Sequence, residues 1–156
     1  RAVREQQMLD AAIAEFSESG YSDTSMDAIA ARAEISKPML YLYYGSKDEL
    51  FSACISRESG RFIDAMSAGF DPSLRQREQA RILVREFLSY VHSNAESWRV
   101  IYRVASGSAG FSNVVTQART QITEMITELI RQGTTVESAS EVDFELTAVA
   151  LVGAAD

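Results

Sequence analysis

The sequence is poor in the residues that carry covalent and metal chemistry. Its 156 residues include one cysteine, Cys54, and one histidine, His92. A lone cysteine excludes an internal disulfide and points to a reducing, cytoplasmic setting. A lone histidine excludes a paired-histidine zinc site, and Cys54 has no cysteine neighbour, so neither metal nor cofactor is expected. Two prolines and eight glycines leave little room for disordered linkers. No apolar run approaches the roughly 20 residues of a membrane helix, and no leader-like segment appears, so no membrane partner is expected. Gly-rich phosphate loops and nucleophile elbows are missing as well, and no catalytic residue is assigned. An enzyme is therefore not expected.

Positive charge is scarce too. The formal net charge is −7. Residues 1–50 carry five Lys/Arg (Arg1, Arg4, Arg32, Lys37, Lys47) against nine Asp/Glu, and the remainder ten against thirteen. Nucleic-acid-binding domains are usually basic, so any DNA contact must be local rather than the work of a global field. The chain begins without Met and ends at Ala154-Ala155-Asp156 within an apolar helical pattern, which reads as the ordered part of a longer protein.

What is present is helical periodicity. Met8, Leu9, Ala12, Ile13 and Phe16 mark an amphipathic helix, with Gly20 placed to end it. Thr24-Ser25-Met26-Asp27 reads as a capping box with Thr24 as the cap, opening a short helix whose Ile29, Ala30 and Ala33 face inward. Ser36 caps a third helix with Pro38 in its first turn, and Gly45 ends it. Ser46-Lys47-Asp48-Glu49 is a second capping box, opening a longer helix through Leu50, Phe51, Ile55, Phe62 and Met66. Further helices are predicted from about Leu74 to Ser93, Ser97 to Ala105, Ser112 to Gln132, and Val142 to the end. No segment alternates with the period of a strand, and the predicted class is all-α.

The second and third helices, joined through Glu34-Ile35-Ser36, have the proportions of a helix-turn-helix. In SKPMLYLYYGSKDEL (residues 36–50), Leu40 and Tyr44 share one face and can pack inward. The other face presents Lys37, Pro38, Met39, Tyr41, Leu42 and Tyr43, a set large enough to require a partner. Tyr suits a phosphate, Lys37 a phosphate or guanine, and Pro38 and Met39 a thymine methyl. Lys47 stands at a helix N-terminus, which already favours a phosphate. Packing of these residues on a neighbouring helix is the alternative.

Residues 9–51 resemble the DNA-binding domain of the TetR family of bacterial transcriptional regulators. LDAAIAEFSESGY resembles its first helix, TSMDAIAARAEIS its second helix and turn, and KPMLYLYYGSKDELF its recognition helix and following cap. The resemblance implies an N-terminal helix-turn-helix domain (1–45) followed by a helical effector-binding and dimerisation bundle (46–156) whose last helix is missing. It implies a ligand-responsive regulator, most often a repressor, that binds a pseudo-palindromic operator in double-stranded DNA as a homodimer. Phosphate contacts are then expected from Thr24 or Ser25, Ser36, Tyr41, Tyr43 and Lys47, and base-side contacts from Lys37, Pro38, Met39 and Leu42. Two residues depart from the family pattern. Glu34 occupies a turn position where the family usually has Gly, at a cost of about 1 kcal/mol if φ is positive there, and Tyr44 replaces a commoner Phe.

The second half of the chain carries large apolar side chains on several predicted helices: Phe62, Met66, Phe87, Tyr90, Trp98, Tyr102, Phe111, Met125 and Phe144. Such stripes are usually core. The resemblance implies that some of them line a cavity for a small, largely apolar effector, with Phe62, Trp98 and Tyr102 the first candidates. Arg77, Arg81 and Arg85 recur at one face beside Glu78 and Glu86, as a solvated ion-paired face or a site for an acidic effector. His92 reads as a partly exposed helix residue and Cys54 as core. The apolar helix Val142 onward reads as half of a dimer interface. Two rivals stay open: a helical small-molecule-binding protein or enzyme whose helix-turn-helix packs internally, and a protein-docking role for the tyrosine face. The first predicts buried Tyr41 and Tyr43.

Overall fold

The computed structural model describes residues 2–71, 73–100 and 112–132. Among them every regular element is an α-helix: α1 (Ala2–Asp23), α2 (Met26–Arg32), α3 (Lys37–Tyr43), α4 (Lys47–Ala68), α5 (Gln76–Ser93), α6 (Ala95–Arg99) and α7 (Ser112–Gln132). The all-α class follows. Helix α7 has the limits that periodicity predicts. Helix α1 begins well before Met8, because its polar first turns carry no apolar stripe to reveal them. Tyr102, Phe111, Phe144, the helix expected from Val142 and the side chain of Arg77 lie outside the described residues.

The chain divides into two compact units. The first takes residues up to Glu58 together with α6; the second takes the rest of α4, α5 and most of α7. The opening turns of α4 supply Leu50, Phe51 and Ile55 to the core of the first unit. Met8, Leu9, Ala12, Ile13 and Phe16 of α1 are buried together with Ile29, Leu40, Leu50, Phe51 and Ile55. Phe16 meets Phe51 edge-on at 4.9 Å, and Tyr21 lies 5.0 Å from Phe51. Gly20 breaks the regular path of α1 with φ 78° and ψ 171°, a region in essence reserved for glycine. Residues 21–23 leave in a new direction and deliver the chain to α2.

In the second unit Phe62 lies against Phe87 at 6.0 Å and Tyr90 at 5.2 Å, both edge-on. Met66, Ala118, Ile122 and Ile126 are also buried. The buried Gln79 side chain ties down the α4–α5 connection: it donates to the carbonyl of Gly69 (3.1 Å) and accepts from the amide of Asp71 (2.8 Å). Satisfying two backbone groups at a tight connection is how a buried amide side chain earns its place.

Candidate nucleic-acid interface

The start of α2 corrects the expected cap. Ser25, not Thr24, is the N-cap: its backbone is extended and its hydroxyl accepts the amide of Ala28 at 3.1 Å. Thr24 is buried, and its hydroxyl points back to α1, against the carbonyls of Gly20 (2.6 Å) and Glu15 (3.0 Å). The Gly20 carbonyl also accepts the backbone amide of Thr24 at 3.3 Å, so the hydroxyl adds a second donor at the end of α1. Ser25 is thus the exposed hydroxyl of the pair, and Thr24 is structural.

The turn between α2 and α3 is a Schellman motif. The amide of Ile35 donates to the carbonyl of Ala30 (3.0 Å), and that of Glu34 to Ala31 (3.1 Å). This geometry requires a left-handed residue after the cap, and Glu34 takes it with φ 54°. The positive φ expected there is present, in a residue that has a Cβ to strain it.

Helix α3 is oriented by one side chain. Leu40 is fully buried, while Tyr41 is 43% exposed and Leu42 83% exposed. Tyr43, Tyr44 and Met39 are half-buried, and Lys37 and Pro38 are exposed. Exposure of Tyr41 and Leu42 counts against an internally packed motif. Tyr44, expected in the core, reaches it in part, and burial raises its hydroxyl pKa. Ser36 is the N-cap by backbone, but its hydroxyl makes no capping bond. At α4 the predicted box forms in modified shape: Ser46 accepts the amide of Glu49, whereas Glu49 reaches back to the amide of Gly45, one residue earlier than usual.

The cations of this domain have partners within the fold. Lys37 is paired with Asp27 at 2.7 Å, and this hydrogen bond raises its pKa. Arg32 is held by Glu15 and Glu18, its bond to Glu18 being the main cause of a raised pKa. Lys47, expected at a phosphate, directs its ammonium in this DNA-free structure to the carbonyls of Tyr21 (2.8 Å), Thr24 (2.9 Å) and Ser22 (3.3 Å). It also stands 4.4 Å above the Tyr21 ring. The Tyr21 hydroxyl donates to Asp48, and burial followed by this carboxylate pushes its pKa up to about 12. The attraction is physical: the end of α1 is a cluster of carbonyl oxygens, and an ammonium nearby satisfies them. Pairings such as Asp27–Lys37 and Tyr21–Lys47 join residues far apart in the chain and leave no local signal. Arg4, which sequence reasoning overlooked, places Nη1 3.4 Å from the sulfur of Met39 on α3.

Of the effector candidates, Phe62, Phe87 and Tyr90 form one aromatic cluster, with Phe62 and Met66 buried and Met125 half-buried. Trp98 is buried on α6, which packs on α1 in the first unit. Arg81, Arg85 and His92 share a surface groove on α5 with Val84, Leu88 and Ser89.

Residues 8–54 match the family profile described as "Bacterial regulatory proteins, tetR family", and residues 76–156 match "Tetracyclin repressor-like, C-terminal domain". The chain is 31% identical over 102 residues to the HTH-type transcriptional activator FasR of Mycolicibacterium smegmatis, covering 65% of this chain and 47% of FasR. It spans half or less of the length of the first curated relatives it matches. The crystal structure of a TetR-like transcriptional regulator from Rhodococcus sp. RHA1 is 52% identical with TM-score 0.79, covering 99% of this chain and 81% of that one. FadR from Bacillus subtilis in complex with stearoyl-CoA shares the fold at TM-score 0.76 and 18% identity, covering 97% of this chain and 82% of FadR.

Proposed function

Because the chain belongs to the TetR family of bacterial regulatory proteins, we propose that it is a ligand-responsive transcriptional regulator. It acts as a repressor, a homodimer that leaves a pseudo-palindromic operator when a small, largely apolar effector binds. The observation that carries this reading is the orientation of α3. Buried Leu40 anchors the helix, while Lys37, Pro38, Tyr41 and Leu42 stand in solvent beside the uncapped hydroxyl of Ser36. Such a helix enters a major groove with its first turns against base edges. In the dimer the two recognition helices would lie about 34–36 Å apart, one turn of DNA.

The effector class rests on the second unit. Its core is built from Phe62, Met66, Phe87 and Tyr90, apolar surface suited to an acyl chain, and FadR of the same fold holds stearoyl-CoA. Helix α4 contributes to both units. An effector that binds the DNA-incompetent state more tightly would shift the population through it.

The test is selection of bound duplexes from a random-sequence pool, followed by footprinting and transcription in vitro. A protected palindrome, repression, and release by stearoyl-CoA but not by coenzyme A alone are expected. Recovery of no preferred sequence would overturn the DNA-binding reading. Activation of transcription would reverse its sign, and indifference to acyl thioesters would remove the effector class.

A further inference from the structure

The acidity of the reading domain raises the question of which cation grips the DNA backbone. The described lysines and arginines of the first unit are Arg4, Arg32, Lys37, Lys47, Arg57 and Arg99. Arg32 and Lys37 are neutralised by carboxylates, and Arg57 is clasped by Asp10 and Glu58. Lys47 is occupied by three carbonyls, and Arg99 donates to the hydroxyl of Ser17. Arg4 is different. It is exposed, and its partner among the described residues is the thioether of Met39.

A thioether is a weak acceptor and carries no charge, so it neither neutralises the guanidinium nor uses up its five N–H donors. What it does is fix position. Met39 lies in the first turn of α3, so the contact holds an arginine from the start of α1 at the rim of the recognition helix. A guanidinium can meet a phosphate with two parallel hydrogen bonds, which an ammonium cannot. Its cost of capture is low, because no ion pair has to be broken first. Lys37 would have to leave Asp27, and Lys47 would have to leave the end of α1.

We propose that Arg4 is a phosphate-anchoring residue of the DNA complex, held beside the recognition helix by Met39. This rests on the DNA-binding reading above. Arg4 would carry no base specificity. It would set affinity and its dependence on salt, and Met39 would link it to the register of α3.

The test is a salt titration of full-length protein and its Arg4→Gln and Arg4→Lys variants on the duplex that the wild-type protein selects. Each phosphate contact contributes about 0.9 to the slope of log affinity against log salt. Two subunits should therefore make the Arg4→Gln slope shallower by about 1.8, or about tenfold less loss of affinity over a fourfold rise in salt. Arg4→Lys should keep the slope while losing part of the affinity. An unchanged slope in Arg4→Gln, with wild-type binding intact, overturns the assignment of Arg4 alone. Wild-type protein that shows no salt-dependent binding overturns the assignment together with the reading beneath it. Circular dichroism of Arg4→Gln matching wild type separates a lost contact from a lost fold.

Discussion

Lys47 donates to the backbone carbonyl of Tyr21 at 2.8 Å while its ammonium stands 4.4 Å above the ring of that same residue. One side chain thus joins the end of α1 to the start of α4 by two kinds of attraction. The Tyr21 ring beneath it is itself packed against Phe16 and Phe51. Lys47 is the device by which an acidic domain spends one of its few cations on its own architecture.

The Lys47→Met variant keeps the stem and removes the charge. It should lose about 1–3 kcal/mol of stability, from charged hydrogen bonds and a cation–π contact at a partly exposed site. Urea denaturation measures this. The slope of operator affinity against salt should stay at the wild-type value. A slope shallower by about 0.9 per subunit would mean that the ammonium leaves α1 for a phosphate in the complex.

Glu34→Gly should stabilise the fold. Relief of a left-handed residue is worth about 1–2 kcal/mol, less about 0.4–1 kcal/mol for the freedom that glycine adds to the unfolded chain. A net gain of about 0.5–1 kcal/mol is expected in urea, with Glu34→Ala gaining none because the Cβ strain persists. The Schellman hydrogen bonds of Glu34 and Ile35 are backbone bonds and survive both changes.

Phe62→Ala removes the ring that Phe87 and Tyr90 both touch. A fully buried phenylalanine replaced by alanine costs about 3–5 kcal/mol through lost burial and the cavity left behind. A midpoint shift of that size is expected in urea denaturation. A cost below about 1 kcal/mol would mark Phe62 as lining a space already open.

Cys54 gives a pH prediction. Burial pushes its thiol pKa up from about 9 to about 12, against a smaller lowering by Arg57. The folded state therefore holds the proton more tightly than the unfolded chain. Stability from this group is complete below about pH 9 and is lost as pH rises toward 12. At pH 9 a thiol reagent should leave the folded protein untouched while labelling the urea-unfolded chain readily. Rapid labelling of the folded protein at that pH would contradict the burial.

The sequence was most legible where the signal is local. The period of Met8–Phe16, the box at Ser46 and the proline in the first turn of α3 each depend on residues within one or two turns, whereas Glu34 stood out only against the pattern of the family that the chain resembles. Their structures follow closely. The shift of the cap from Thr24 to Ser25 shows the limit, since both are good caps and the choice fell to the carbonyls of Gly20 and Glu15. The effector candidates were less legible because a stripe of aromatics reads alike as core or as cavity wall. Phe62 and Tyr90 are in contact, whereas Trp98 is buried with the other unit.

By itself, then, the sequence determined the helical class, the order of elements and the face that α3 turns to solvent, since these follow from helical period, capping chemistry and the burial of Leu40. Tertiary structure alone decided which partners the cations take within the fold. Electrostatic pairing depends on distance in space, and Asp27, the end of α1 and Met39 come to Lys37, Lys47 and Arg4 across 10, 26 and 35 positions of chain.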